Sequence, residues 1–145
     1  MICIVNKTNN VIVKSYDASI PILNIDKGLY SDSEQWDHLV APSGLASNEV
    51  KLEDNEIVAD LDAIKAAKMS SIRKSRNALL KLTDAKWIEY ASKNLDKTAI
   101  ETDKQTLRDL TTSAQAALDA MTDPQEMKSY DPMASLELSM NYSEE

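Results

Sequence analysis

The sequence predicts an α+β fold: a small β-rich N-terminal unit, then two long antiparallel helices with a short connecting helix, and an acidic C-terminal tail. Three observations predict it. Short β-branched runs separated by turn residues fill the first 59 positions. At Asp60 the apolar period changes from two to three or four. No glycine or proline then interrupts residues 45–123. The expected division is a β-rich head at 1–59, a helical region at 60–122 and an acidic tail at 123–145.

The head opens with the run Met1–Val5, the turn-forming stretch Asn6–Asn10 and the run Val11–Val13. This reads as a hairpin, because asparagine tolerates the left-handed backbone that tight turns require. Val50–Leu52 and Ile57–Ala59 around Glu53–Glu56 read as a second hairpin. Between them, Ile20–Leu23, the turn at Gly28 and Trp36–Val40 suggest one or two further short strands, with Pro21 at an edge or in a loop. Pro42-Ser43-Gly44 reads as a turn. Cys3, flanked by Ile2 and Ile4, reads as a small strand residue; as a lone cysteine it has no internal disulfide partner.

In the helical region Leu61, Ile64, Ala67 or Lys68, Ile72, Leu79 and Leu82 recur at helical spacing, with Asp60 or Asp62 available as a cap. Thr83-Asp84 offers a fresh capping signal, which predicts a short second helix through Trp87, Ile88 and Ala91. Asp96, or Thr98 with Glu101 three residues on, opens a third helix. That helix carries Ile100, Leu107, Leu110, Ala114, Leu118 and Met121 on one face and stops before Pro124. Such helices should lie antiparallel in one chain, and they can also pair between chains as a dimer.

From Ser129 to Glu145 there is no lysine or arginine. Leu136, Leu138, Met140 and Tyr142 alternate with Glu137, Ser139 and Asn141. A segment here is disordered by default, yet its period of two is that of a strand seeking a sheet edge.

Charge and composition narrow the function. The net charge of −8 is split unevenly: 4 basic against 9 acidic residues give −5 in 1–59, 11 against 9 give +2 in 60–122, and 1 against 6 give −5 in 123–145. Acidic ends repel phosphate backbones, so nucleic acid is not an expected partner, and the cluster Lys65, Lys68, Arg73, Lys74, Arg76, Lys81 reads as a solvated helix face. No run approaches the length of a membrane span, and Met1–Val5 is too short for a signal peptide, which leads us to expect a cytoplasmic protein.

Two glycines, Gly28 and Gly44, make no phosphate loop, and one His with one Cys makes no common zinc site. His38 would have to serve any Ser or Cys nucleophile; its neighbour Asp37 faces the opposite side of a strand and is badly placed to orient it. The expectation is a binding protein, with no catalytic residue, cofactor or metal. Trp36 and Trp87, the largest apolar groups in a chain with 5% aromatic residues, are expected to fill core.

The stretch from Ile72 reads IRKSRNALLKLTD, then AKWIEYASKNLDKTAIETDKQTLRDL. It resembles the phage tail fibre assembly, or tail assembly chaperone, family, in which an R-x-x-R-x-x-L-L helix precedes a Thr-Asp-Trp turn and an A-L-R-D-I-like signature. The matching positions are Arg73, Arg76, Asn77, Leu79, Leu80, Thr83, Asp84, Trp87, Leu107, Arg108, Asp109 and Leu110. Here Trp87 stands three positions after Asp84, where the family has it adjacent. The match covers about 40 residues, and a β-rich head ending in a stretch like KLEDNEIVAD is also similar to that family.

The resemblance implies a helper that binds a phage tail fibre protein in the host bacterial cytoplasm and assists its folding and trimerisation. The alternative is a structural component retained in the phage tail or another oligomeric assembly. Candidate partner-binding residues are Arg73, Arg76, Trp87, Met133, Leu136, Leu138, Met140 and Tyr142.

Overall fold

The computed structural model of the chain describes residues 1–16 and 36–142. The fold is α+β, in two units, Met1–Ile64 and Lys65–Glu145. The strand expected around Ile20–Leu23 and the turn at Gly28 lie outside the described residues.

In the first unit, β1 (Ile2–Asn6), β2 (Val11–Tyr16) and β3 (Trp36–Val40) form an antiparallel sheet in the order β2-β1-β3. Ile2 pairs with Tyr16 on one side and with Val40 on the other. Central position explains the unbroken apolar run of β1: Ile2, Cys3, Ile4 and Val5 are all buried, as in a strand covered on both faces. Burial also pushes the Cys3 thiol above its ordinary value, against a smaller opposing effect of the N-terminal charge. On β2, Lys14 pairs with Ile4 and Ile12 with Val5, which leaves Val13 as the extra residue of a bulge.

The second hairpin joins β4 (Val50–Glu53) to β5 (Glu56–Ala59). Its two turn residues, Asp54 and Asn55, both adopt positive φ, 50° and 63°, as a two-residue hairpin turn matched to strand twist requires. Gly44, at φ 76°, closes the turn after Pro42. Asp60 then ends the head: its amide donates to the Glu49 carbonyl at 2.8 Å, and its carboxylate accepts the Ala63 amide at 3.0 Å, which caps the first helix.

That helix, α1 (Leu61–Ser92), corrects one expectation. It runs unbroken for 32 residues through Thr83-Asp84, where a short connecting helix was expected. A capping threonine would turn its oxygen to the amides ahead of it. Thr83 is fully buried and instead donates its hydroxyl back to the Leu80 carbonyl at 2.8 Å, while Asp84 pairs with Lys104 at 2.6 Å. The true end is at Asn94, with φ 54°. The Leu95 amide returns to the Tyr90 carbonyl and the Asn94 amide to the Ala91 carbonyl, a Schellman closure with asparagine in the usual glycine place.

The next helix, α2 (Thr98–Ala120), returns antiparallel. Lys65 pairs with Asp119, Arg76 with Thr111, Asp84 with Lys104 and Trp87 with Glu101, so partners fall on α2 as they rise on α1. The expected Thr98–Glu101 capping box does not form. The Thr98 amide and hydroxyl both donate to Asp96, at 3.0 and 2.7 Å, and Glu101 accepts the Trp87 indole at 3.2 Å. Of the expected stripe, Ile100, Leu107, Ala114 and Leu118 are buried, and Leu110 and Met121 half-buried. The short helix of the fold comes afterwards, as α3 (Pro124–Ser129): Pro124 both stops α2 and starts α3, with Asp123 accepting the Gln125 amide at 2.8 Å.

Candidate partner-binding groove

Asp103 lies on the buried face of α2 between Ile100 and Leu107, and it is 1% exposed. A carboxylate there is costly unless donors surround it. Three donors do, all from the segment after α3. The amides of Ser139 and Met140 reach its two oxygens at 2.7 and 3.1 Å, and the Tyr142 hydroxyl donates at 2.7 Å. Burial pushes the Asp103 carboxyl up, and the hydrogen bonds from Ser139, Tyr142 and Met140 together more than offset it, holding it below its ordinary value. For the Tyr142 phenol all causes act upward: burial first, then its bond to Asp103 and that residue's charge, then Tyr90.

The path to this anchor begins at α3, whose Lys128 carbonyl accepts the Lys68 ammonium of α1 at 2.6 Å. Asp131 accepts the Met133 amide at 3.0 Å and the Leu136 amide donates to the Met133 carbonyl at 3.2 Å, which bends the chain around buried Pro132. From 136 to 142 exposure alternates residue by residue: Leu136, Leu138, Met140 and Tyr142 are half-buried, and Glu137, Ser139 and Asn141 exposed. The period of two is therefore real. No strand forms among the described residues of the tail: the chain bends at Ser139 and Met140, where two main-chain donors go to a carboxylate on a helix and not to a sheet edge.

Two clefts border the chain that follows α2, of which residues 136–142 are the strap held by Asp103. One, of about 770 Å³, has a floor of Ser71, Ile72, Ser75, Ala78 and Leu79 on α1, with Tyr130 and Met133 opposite. The other, of about 460 Å³, is bounded by Leu79 and residues 136 and 138–142 of the strap. Small residues along α1 leave the room, and Leu79 lies at the border of both.

Leu136, Leu138, Met140 and Tyr142 thus border one cleft, and Met133 borders the other. Arg73, Arg76 and Trp87 are elsewhere. Arg76 is half-buried and spends its guanidinium on Asn77, at 2.8 and 3.1 Å, and on Thr111 at 3.2 Å, which ties α1 to α2. Trp87 is half-buried, bonded to Glu101 and with the Lys97 ammonium 5.8 Å from its ring centre. Arg73 is exposed beside Lys74 and Lys81 around a separate concavity on α1. The other cations of the expected solvated row, Lys65 and Lys68, are engaged by Asp119 and the Lys128 carbonyl.

Asp103 is the residue that sequence reasoning missed. Its signal was present: an acid three residues after Ile100 and four before Leu107 sits on the apolar stripe. In the head, Asp37 is exposed and His38 half-buried on successive positions of β3. Among the described residues, no group of three or more His, Cys, Asp or Glu is placed to hold a metal ion, and no helix is long and apolar enough to cross a membrane. No family model matches the chain, and no curated protein or solved structure does either.

Proposed function

We propose that this chain is a phage tail fibre assembly chaperone, which binds a fibre protein transiently and holds its unassembled segments while the trimer forms. The observation that carries the reading is the strap. The helical unit holds an irregular polypeptide segment by two main-chain amides, at a bend, and by alternate apolar side chains; unpaired amides and alternate apolar side chains are also what a fibre strand presents before assembly. The likeness of residues 72–110 to that family supports it, on the quoted residues alone. The head adds a regular strand edge: β3 has one strand neighbour among the described residues and carries Val40, 73% exposed.

Co-expression tests the proposal. A fibre protein produced with this chain should yield more soluble trimer than the same fibre produced alone. An unchanged yield would overturn the reading. Recovery of the chain in stoichiometric amount from finished particles would replace it with that of a retained structural component.

A further inference from the structure

The strap has the properties of a tethered ligand. Its apolar side chains are half-buried, not buried like those of α2, and an open cleft remains beside them. It forms no helix or strand of its own between 136 and 142. Its specific hold is a single acceptor, Asp103, which takes two consecutive amides and one hydroxyl two residues further on. None of that chemistry is peculiar to this segment. Any segment that bends can turn two consecutive amides to one carboxylate, and alternating apolar residues with a nearby hydroxyl are common in β-forming sequences.

We propose that the groove around Asp103 is a receptor for an alternately apolar segment of a partner polypeptide that bends at its anchoring amides, and that residues 136–142 occupy it in cis until such a segment displaces them. The inference rests on the chaperone reading for the identity of the partner, and on the geometry alone for the exchange. Two consequences follow from tethering. An incoming segment competes with a strap whose effective concentration is set by a short connection to α3, so a weak binder is excluded and a well-fitting one admitted. Its apparent affinity is reduced by the small fraction of molecules with the strap released. Loosening the strap while keeping Asp103 therefore raises affinity, the opposite of what deleting binding residues usually does.

The probe is a fluorescent peptide with the sequence of residues 134–142, ASLELSMNY, titrated into full-length protein and followed by anisotropy. The double variant Leu138→Asp/Tyr142→Ala frees the groove. It should bind the peptide at least tenfold more tightly than the unaltered chain, and adding Asp103→Leu should abolish that gain. Equal affinity for the unaltered chain and the double variant, or a gain that survives Asp103→Leu, overturns the proposal. A second measurement uses the unaltered protein, whose folding is not in question: at high peptide concentration, hydrogen exchange at the Ser139 and Met140 amides should accelerate several-fold. Unchanged exchange overturns it equally. Because neither measurement contains a fibre protein, a failure of the co-expression experiment would leave this result standing on its own.

Discussion

The Tyr142 hydroxyl donates to Oδ2 of Asp103 over 2.7 Å, joining a residue of the buried face of α2 to a segment 39 residues further along the chain. With the amides of Ser139 and Met140 it satisfies a carboxylate that would otherwise be stranded among apolar side chains. Removing that acceptor leaves three donors to find other partners. Asp103→Ala should destabilise the helical unit by about 3 kcal/mol, and Asp103→Asn, which keeps an acceptor but loses the charge, by about half as much. Urea denaturation followed by helical circular dichroism measures both, and equal effects would mean that the charge contributes nothing.

Acid should loosen the strap. Asp103 is held below its ordinary value, so the unfolded chain takes up this proton more readily than the folded one. Its contribution is complete above the ordinary aspartate value of about 3.9 and is lost as the pH falls through the lower folded value. Glu89, Asp96 and Asp119 shift in the same direction through their bonds to Lys93, Thr98 and Lys65, but Asp96 and Asp119 are exposed and Glu89 only half-buried. Protection of the Ser139 and Met140 amides should therefore persist from neutrality to about pH 4 and disappear below it, and should become insensitive to pH in this window in Asp103→Asn. Tyr142 has the opposite sign. Its contribution is complete below the ordinary phenol value of about 10 and is lost only as the pH rises through its raised folded value, so mild alkali should leave the strap in place.

The continuity of α1 at Thr83 can be tested by a proline. Were Thr83-Asp84 the cap of a new helix, Ala85→Pro would fall in its first turn and be tolerated. In the middle of a continuous helix the substitution should cost about 3 kcal/mol or more and reduce helical ellipticity.

Leu107, fully buried at the middle of the α2 stripe, and Leu110, half-buried one turn on, make a matched pair. Leu107→Ala should cost about 3 kcal/mol, and Leu110→Ala less than half of that, because the second site stays partly open to water. Thermal unfolding of the two variants side by side decides it.

The β4–β5 turn makes a backbone prediction. Asn55 sits at φ 63°, so Asn55→Gly should be tolerated or slightly stabilising, whereas Asn55→Ala should cost about 1 kcal/mol. Equal melting temperatures for the two would argue that the turn relaxes.

Both hairpins were legible because their signals are local. Asn6–Asn10 and Asp54-Asn55 are turn residues flanked by β-branched runs, and each is paired within a few positions. Trp36–Val40 was legible as a strand, but not its place beside β1, since strand order depends on residues far apart in sequence. The helix break at Thr83-Asp84 misled because a threonine hydroxyl satisfies either the turn ahead or the turn behind, and only the buried surroundings choose. Asp103 was hidden for a similar reason. An acid among leucines ordinarily turns to solvent, and its actual partners, Ser139, Met140 and Tyr142, lie 36 to 39 positions away. The alternation of the strap was visible, while the surface it covers was not.

The distance along the chain between Asp103 and its donors also sets an order of events during synthesis. The ribosome must add 39 residues after Asp103 before the Tyr142 hydroxyl exists, a delay of roughly 2 to 8 s at usual translation rates. Until then Asp103 lacks this donor, and Leu79 lacks the last of the residues that border it. The anchor can therefore close only after the helices that carry it have been synthesised, as a late step in the assembly of this unit.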